Sequence, residues 1–526
     1  MMMVDTNRIR LLFFIVAMSA AAVHAQSTFD CVSPPTPTLT NPVILGNGSA
    51  GSVTTSALQA ALNTGGDIRL NVGSSTIALT QELVISSATT LDANGATLSG
   101  GNTHRVLHVS NPSNLTYTFN LLNATVSDGN SRNAGSTVTD KSGAGLWKPS
   151  VDEAWQVVTI RIFHSHFTGN TAVQAAQDDG GGGAYVTGAA EFSVIGSTFD
   201  NNNGSNGGAL YSLVSKSVNL YDSTFSNNAA TGTNGNPGNG GNGGAIGIDG
   251  GTDDDPRFLN LCRVRVLDNT SNAFGGGLFT TTYSANSFTW ILNSTFDGNT
   301  SVPANGKLAG GAYIQGSPLS IRGSTFSNNQ ASGYTGLALF GSGGVLTGDV
   351  TNSTFAGNIA TSGLGGAMSI QGATNLTLQN LTIADNQATC DVCFDAGISN
   401  DTGANLTMRN VIFWNNTAGN AFNPWAIQNP AASGSNNLQY PQSRGSGQND
   451  VAAAPGTTFA DAMLSPLADN GGLTQTMAIP STSPAVNAGT STNAPPTDQR
   501  GFSRFGAVDI GAYEFAPDEI FADGFD

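Results

Sequence analysis

The sequence predicts an all-β, single-stranded right-handed parallel β-helix solenoid, and three observations predict it. Two short motifs alternate along most of the chain. Brief apolar stretches of period two lie between them. The composition has 67 glycines and is only 10% charged. Glycine, Asn, Ser and Thr are poor helix formers. The recurring Leu, Ile, Val and Phe clusters still supply apolar surface to bury, which a disordered chain lacks.

The first motif is an apolar residue followed three positions later by Asn. It occurs at Phe167/Asn170, Phe199/Asn202, Phe225/Asn228, Phe296/Asn299, Phe326/Asn329, Phe355/Asn358, Ile383/Asn386 and Phe413/Asn416, with a degenerate copy at Val266/Asn269. Its apolar position recurs every 26 to 32 residues, except for one gap of 41. The second motif is a glycine pair, as in Gly182-Gly183, Gly207-Gly208, Gly243-Gly244, Gly276-Gly277, Gly310-Gly311, Gly343-Gly344 and Gly365-Gly366. Alternating strands such as Ser287–Leu292 and Leu376–Leu381 follow it.

These spacings describe coils of about 30 residues with three short strands each. No coil can bury its apolar face alone, so each needs neighbours above and below. Strands of successive coils then pair in parallel at about 4.8 Å. Each Phe is expected to point inward and stack on the next. Each Asn is expected at a corner, laddering from coil to coil. Glycine pairs supply corners of positive φ or close approach. The crossover rule for parallel strands gives the right hand. A propeller, with blades of about 40 residues and four strands, fits the spacing less well.

The elements follow in order. Arg8 and Arg10 precede an apolar run from Leu11 to Val23, and Val23-His24-Ala25 has a small-x-small pattern. Residues 1–25 therefore read as a secretory signal peptide, too short in its apolar run to span a bilayer. Residues 26–57 read as an extended lead-in. Residues 58–458 are the β-helix, opening with a capping turn at Leu58–Leu62. Loop insertions are expected near 128–156 and 231–243. Residues 459–515 form a distinct closing segment, and 516–526 an acidic tail.

The net charge of −17 and the lack of a Lys/Arg cluster exclude nucleic acid as a partner. The four cysteines are too sparse to frame the fold. Cys390 and Cys393 are spaced for a local disulfide, and the pairing of Cys31 and Cys262 stays open.

Two resemblances add to this. The Gly-Gly-Ala-[Ile/Tyr/Leu] and Phe-x-x-Asn units resemble the repeats of polymorphic outer-membrane proteins and of pectin-lyase-like β-helix proteins, over about residues 160–416. Asn470–Gly472, Ser483–Gly489, Thr497–Gly501 and Asp509–Glu514 resemble the choice-of-anchor Q domain of bacterial extracellular proteins. In that family the domain precedes a surface-attachment or sorting tail. Ile520–Asp526 is similar to the terminal signature of some Gram-negative exported proteins. The resemblance implies a protein secreted or held at the outer cell surface. It also implies a structural ion pair of Asp498 with Arg500, with Asp509 and Glu514 in the same role.

Candidate chemistry is sparse. Asp178 and Asp179 adjoin a glycine run, and His164 and His166 precede them on one alternating face. Asp253, Asp254 and Asp255 lie near Arg257, Arg263 and Arg265. Both acidic clusters have the residue types to hold Ca²⁺, the one cofactor the sequence suggests. The blander reading is that both sit in glycine-rich loops and face solvent. Trp147, Trp155 and Tyr185 would line a groove if the 128–156 loop folds over Asp178. His104 and His108 read as isolated. Two functions follow. One is a monomeric, non-enzymatic, adhesin-like solenoid whose Asn, Thr and Ser rows contact glycans or other surfaces. The alternative is a polysaccharide lyase or glycoside hydrolase acting on an extracellular acidic polysaccharide.

Overall fold

Each coil is built from strands too short to stand alone. In one regular coil Thr198–Asp200 is followed by the two-residue strand Asn203–Gly204, then by Leu210–Leu213 and Ser217–Tyr221. Each pairs in parallel, residue on residue, with its counterpart one coil later. The regular coil thus carries four strands rather than three, the extra one being the short pair just past the Asn. The computed structural model describes residues 29–517 except 112–113, 150–155, 236–237, 251–256, 283, 285, 303–307, 317, 342–345, 373 and 402–403. The chain is a single-stranded right-handed parallel β-helix, with sheets of 25, 11 and 8 strands among those residues. The signal peptide, Trp155, Asp253, Asp254, Asp255, the glycine pair at 343–344 and tail residues 518–526 lie outside them.

The core follows the motifs. Phe167, Phe199, Phe225, Phe296, Phe326, Phe355 and Phe413 are all fully buried. Neighbouring rings stack, with centroids 4.5 Å apart for Phe167–Phe199 and 5.0 Å for Phe326–Phe355. The Asn side chains form a continuous ladder. Asn202 Nδ2 donates to Asn228 Oδ1 at 3.0 Å and to the Phe167 carbonyl at 2.9 Å. Asn228 repeats the pattern on Asn269, and Asn269 on Asn299. Asn299 then donates to Asn329 at 3.0 Å, Asn329 to Asn358 at 2.9 Å and Asn358 to Asn386 at 2.8 Å. Asn386 ends the series on Asn416. Asn329 and Asn358 also donate to the carbonyls of Phe296 and Phe326, each at 2.9 Å. Each corner amide therefore satisfies backbone groups that the turn would leave buried and unpaired.

A second ladder lies at the bend within the largest sheet. Ser165, Ser197, Ser294 and Ser324 each donate a backbone N–H to a serine hydroxyl one coil on, at 3.0 to 3.2 Å. Left-handed residues stand just before the bend serine in several coils, as at Asn293 (φ 51°) and Asn352 (φ 46°). In the last coils the strands on either side of the bend fuse into 11-residue strands, Leu346–Ala356, Thr374–Ala384 and Ala404–Trp414.

Helix Thr55–Thr64 closes the N-terminal end. The Thr54 hydroxyl caps it by accepting from Ala57 N, and Leu58 and Leu62 plug the first coil. It begins three residues before the sequence suggested, inside the lead-in. That lead-in also contributes strand Val43–Leu45, paired with Gly66–Leu70. The expected 128–156 insertion contains a 3₁₀ turn, Thr139–Lys141, and a regular rung, Leu146–Lys148, between Leu107–Val109 and Ala184–Thr187. The 231–243 insertion folds back on itself through the antiparallel bridges Thr233–Asn239 and Gly235–Gly240.

Residues 31–40 and the closing segment both run along the outside of the largest sheet. Near the N-terminus Cys31 is disulfide-bonded to Cys262, Thr36 bonds His164, and Thr40 N bonds Asp67. Five extended residues reach about 16 Å, and the three coil steps from His164 to Cys262 span about 14 Å. The strap therefore runs directly over the outward-facing Phe163, Ile195 and Tyr221, which are buried although they point away from the core. The closing segment covers later coils. Thr474 bonds the Gly323 carbonyl, Asn352 donates to Thr497 O, Asn380 to Gly511 O and Asn436 to Ala488 O. Beneath it Ala356, Ala384, Ile412 and Leu438 pack on Ala462, Met477, Ile479 and Ile510. Cys390 and Cys393 form the local disulfide.

Candidate functional site

The four residues nominated from sequence stand on two different sheets. His166 lies in His166–Thr168 of the largest sheet, facing out, and its Nε2 meets Asp200 Oδ1 at 2.6 Å. His164, at the bend, meets the Thr36 hydroxyl at 3.1 Å. Asp178 and Asp179 sit at the corner before Ala184–Thr187, in the 11-stranded sheet. The chain turns the Asn170 corner between the two pairs, so strand alternation does not carry across. The 128–149 segment does fold onto the aspartates. The Ser142 hydroxyl donates to Asp179 Oδ1 at 3.2 Å, and Gly180 N donates to Ser142 Oγ at 3.2 Å. Burial raises both carboxyls above their ordinary range. Among the described residues no group of three or more His, Cys, Asp or Glu side chains is arranged to hold a metal ion.

Trp147, Tyr185 and Tyr211 are in register on the outer side of the 11-stranded sheet and pack as one cluster. All are buried, and Tyr185 donates to the Asp178 carbonyl at 3.3 Å. The Tyr185 and Tyr211 rings are covered within the protein, and Trp147 alone of the three lines an opening. Trp147 contacts the Arg105 guanidinium, 4.1 Å from its ring centroid, and the His108 ring at 4.5 Å.

Beside this cluster opens a cavity of about 550 Å³. Gln81, His104, Asn130, Asn133, Asp140 and Trp147 are among its walls. Arg105, 4% exposed, spends its guanidinium on Glu82 at 2.8 Å and on the carbonyls of Gly143 and Ser142 at 3.0 Å each, and also on that of Asp140. Burial alone would raise the Glu82 carboxyl. The hydrogen bond with His108 and the Arg105 charge outweigh it and hold the group at about 2. Asp140 is held low by the backbone N–H of Thr137, at 2.9 Å, with Ser136 N at 3.0 Å on the same Oδ2.

His108 is thus not isolated: its Nδ1 meets Glu82 Oε1 at 3.2 Å. The two are one coil apart, since Leu83 pairs with Leu107 and Val84 with His108. The first coils lack the Phe and Asn markers that show the register later, so the sequence hid this contact.

A second candidate surface is a strip of the largest sheet. Thr125, His166, Thr198, Thr224, Arg265 and Thr295 form one outward column, in register. Ser127, Thr168, Asp200, Ser226, Leu267 and Asp297 form the next. All but Ser127 are at least partly exposed. From Thr325 to Ala384 the same columns are buried under the closing segment.

The Asn row expected to contact glycans is not part of this surface. Asn202, Asn228, Asn299, Asn329, Asn358 and Asn416 are all buried, Asn329 and Asn358 completely so. Their amides turn inward because the corner backbone needs both the donor and the acceptor of each one. The repeated Asn is therefore a structural residue, and the exposed rows are mainly Thr, Ser and Asp, with His166, Arg265 and Leu267 among them.

No family model matches the chain. No curated protein matches it either. Among solved structures it is similar to tailspike protein 3 (TSP3, orf212) of bacteriophage CBA120, at 13% identity and a TM-score of 0.30. That alignment covers 80% of this chain and 62% of the phage protein.

The closing segment holds the residues singled out for it. Asp498 and Arg500 form a buried ion pair at 2.7 Å, and Arg504 pairs with Glu514 at 2.7 Å. Asp509 accepts from Asn487 N and Phe515 N at 2.6 Å each. Sequence reasoning missed Gln499. Its Nε2 lies within 2.9 Å of the Thr325 and Thr474 hydroxyls, and its Oε1 accepts from Thr354 at 2.6 Å.

Proposed function

We propose that this chain is an exported solenoid, secreted or held at the outer cell surface, that contacts glycan-rich surfaces without turning them over. The observation that carries this reading is the uncovered strip from Thr125 to Asp297. It is an in-register array, mainly of hydroxyl and carboxylate side chains with His166, Arg265 and Leu267 among them, repeating at the spacing of the coils, about 4.8 Å. Such an array suits many weak hydrogen bonds to a repetitive polyhydroxylated ligand, where multivalency rather than one deep site gives affinity. The chain leaves this strip open while covering both its neighbour and its continuation. Export rests on the signal-like N-terminus and on the anchor-like closing segment, whose motif residues lock it onto the coils. Among the described residues no helix is long and apolar enough to cross a membrane.

The enzymatic alternative draws on Asp178 and Asp179, whose raised carboxyls suit a general acid. One experiment separates the two. The purified chain is incubated with insoluble and soluble polysaccharides, uronate-containing ones included, with and without calcium. Retention on a polysaccharide without product release is expected, and the variant Thr198→Lys/Thr224→Lys should lose it. Release of oligosaccharide would establish the enzyme instead, and retention untouched by the double variant would remove the strip from the reading.

A further inference from the structure

We propose that the cavity beside Trp147 binds an amino sugar, a glycosyl unit carrying a free ammonium group. The site is separate from the exposed strip and does not depend on it. Its volume of about 550 Å³ lies inside the range of small-ligand sites, roughly 300–1,000 Å³. It is built rather than incidental. Arg105 is buried and fixed by four polar partners, and it holds Trp147 and Glu82 in place. The Trp147 indole N–H, in a side chain only 8% exposed, has no hydrogen-bond partner within the protein.

The charge of the walls selects the ligand. Arg105 is the one Lys or Arg side chain among the described lining residues, and Glu82 neutralises it at 2.8 Å. Arg105 also acts on Asp140, but the walls then set two carboxylates against one guanidinium and keep a net negative charge, with the Ser136 and Thr137 N–H groups both on Asp140 Oδ2. A uronate would bring a second negative charge against it with no free cation to receive it. An ammonium would pair with it, in a partly enclosed site where such a pair is less screened. Gln81, Asn130 and Asn133 provide side-chain amides at the same opening. An amide offers a donor and an acceptor together, which matches neighbouring hydroxyls on a sugar ring.

Titration calorimetry on the whole chain tests this with four probes: a trimer of β-linked glucosamine, its N-acetylated form, a galacturonate trimer and spermidine. The glucosamine trimer should bind, and the other three should bind at least about tenfold more weakly. Asp140→Asn can keep the hydrogen bonds from Ser136 and Thr137, and should cost the glucosamine trimer about tenfold. Asn133→Ala, at the exposed rim, should weaken the same probe without changing the melting temperature, while Gln442→Lys, exposed and outside both the cavity and the strip, should change nothing. Equal binding of the galacturonate or N-acetylated trimer would overturn the assignment of charge. Equal binding of spermidine would reduce the site to a cation trap and overturn the sugar. Binding that survives both cavity variants, or no binding of any probe, would overturn the site itself.

Discussion

Asp395 occupies a position where most coils carry glycine. The slot lies three residues before each strand of the 11-stranded sheet, and Gly181, Gly207, Gly243, Gly275 and Gly365 fill it with φ between 51° and 72°. Asp395 adopts φ 57° in the same slot, which Asp tolerates better than most residues. Its carboxyl is 2% exposed, and Oδ1 has no hydrogen-bond partner. Burial pushes its pKa up to about 8, well above the ordinary 3.8 of an unfolded chain. The folded state therefore holds the proton more tightly than the unfolded state. Stability should fall as pH rises from about 4 to about 8 and level off beyond, by an amount on the order of a few kcal/mol. Asp395→Asn keeps an acceptor and suits the left-handed slot. It should melt higher than the parent at pH 8 and match it near pH 4. Thermal melts across that range check this, and a variant no more stable at pH 8 would show that the carboxyl is not desolvated. At this scale sequence reads best where a side chain repeats. Phe199 and Asn202 were legible because their partners stand one period away in the same chemical form. The repeat does not say which way a side chain faces, so the Asn row could be placed at a corner but not inside it. Glu82 and His108 were not legible, because an acid and an imidazole one coil apart share no motif that marks their register.

Elements that follow the coil period were readable, and elements that run across it were not. The cap helix shows itself through Leu58 and Leu62, and the strands through alternation. The straps have no period of their own. Residues 31–40 look like an unstructured proline-bearing lead-in, and only three-dimensional proximity puts Cys31 beside Cys262. The two disulfides should therefore differ in worth. Cys31–Cys262 closes a sequence separation of 231 residues, and Cys390–Cys393 one of 3. Loop-closure entropy assigns about 5 kcal/mol to the first and about 2 kcal/mol to the second. Replacing Cys31 and Cys262 by Ser should lower the denaturation midpoint far more than replacing Cys390 and Cys393. It should also make the chain N-terminal to residue 40 more readily cleavable under native conditions, because polar contacts of Thr36, Thr40 and the Cys31 carbonyl with Arg263 then hold the strap. Limited proteolysis with mass spectrometry reads that release. An uncut strap would mean that apolar cover of Ile195 and Tyr221, not the disulfide, holds it down.

Over the whole molecule, one outer surface changes character along the axis while the core stays the same. The inward position of the motif is Phe from Phe167 to Phe413, with Val and Ile as the exceptions. The outward position two residues after Thr125, Thr198, Thr224 and Thr295 is Ser, Asp, Ser and Asp. After Thr354 and Thr382 it becomes Ala356 and Ala384, and the next coils place Ile412 and Leu438 on the same face. Within that column the covered coils turn to Ala at 356 and 384, although Ser327 is covered while polar and Leu267 is uncovered while apolar. This difference is written in the sequence. It becomes readable only once the fold shows which alternate residues point outward. It yields a paired prediction. Ala384→Glu places a carboxylate beneath the closing segment against Ile412 and Ile479, and an unpaired charge there costs several kcal/mol. The segment should lift, giving new cleavage sites within 459–515 and a lower melting temperature, while the Phe and Asn ladders keep the β signal in circular dichroism. Ser226→Glu makes the same change at the equivalent outward position of an uncovered coil, and should leave both melting and proteolysis within error of the parent. If the two variants behave alike, the polar-to-apolar switch does not direct where the chain end docks. The ion pairs of Asp498, Arg500, Arg504 and Glu514, together with Gln499, would then have to hold the segment in place by themselves.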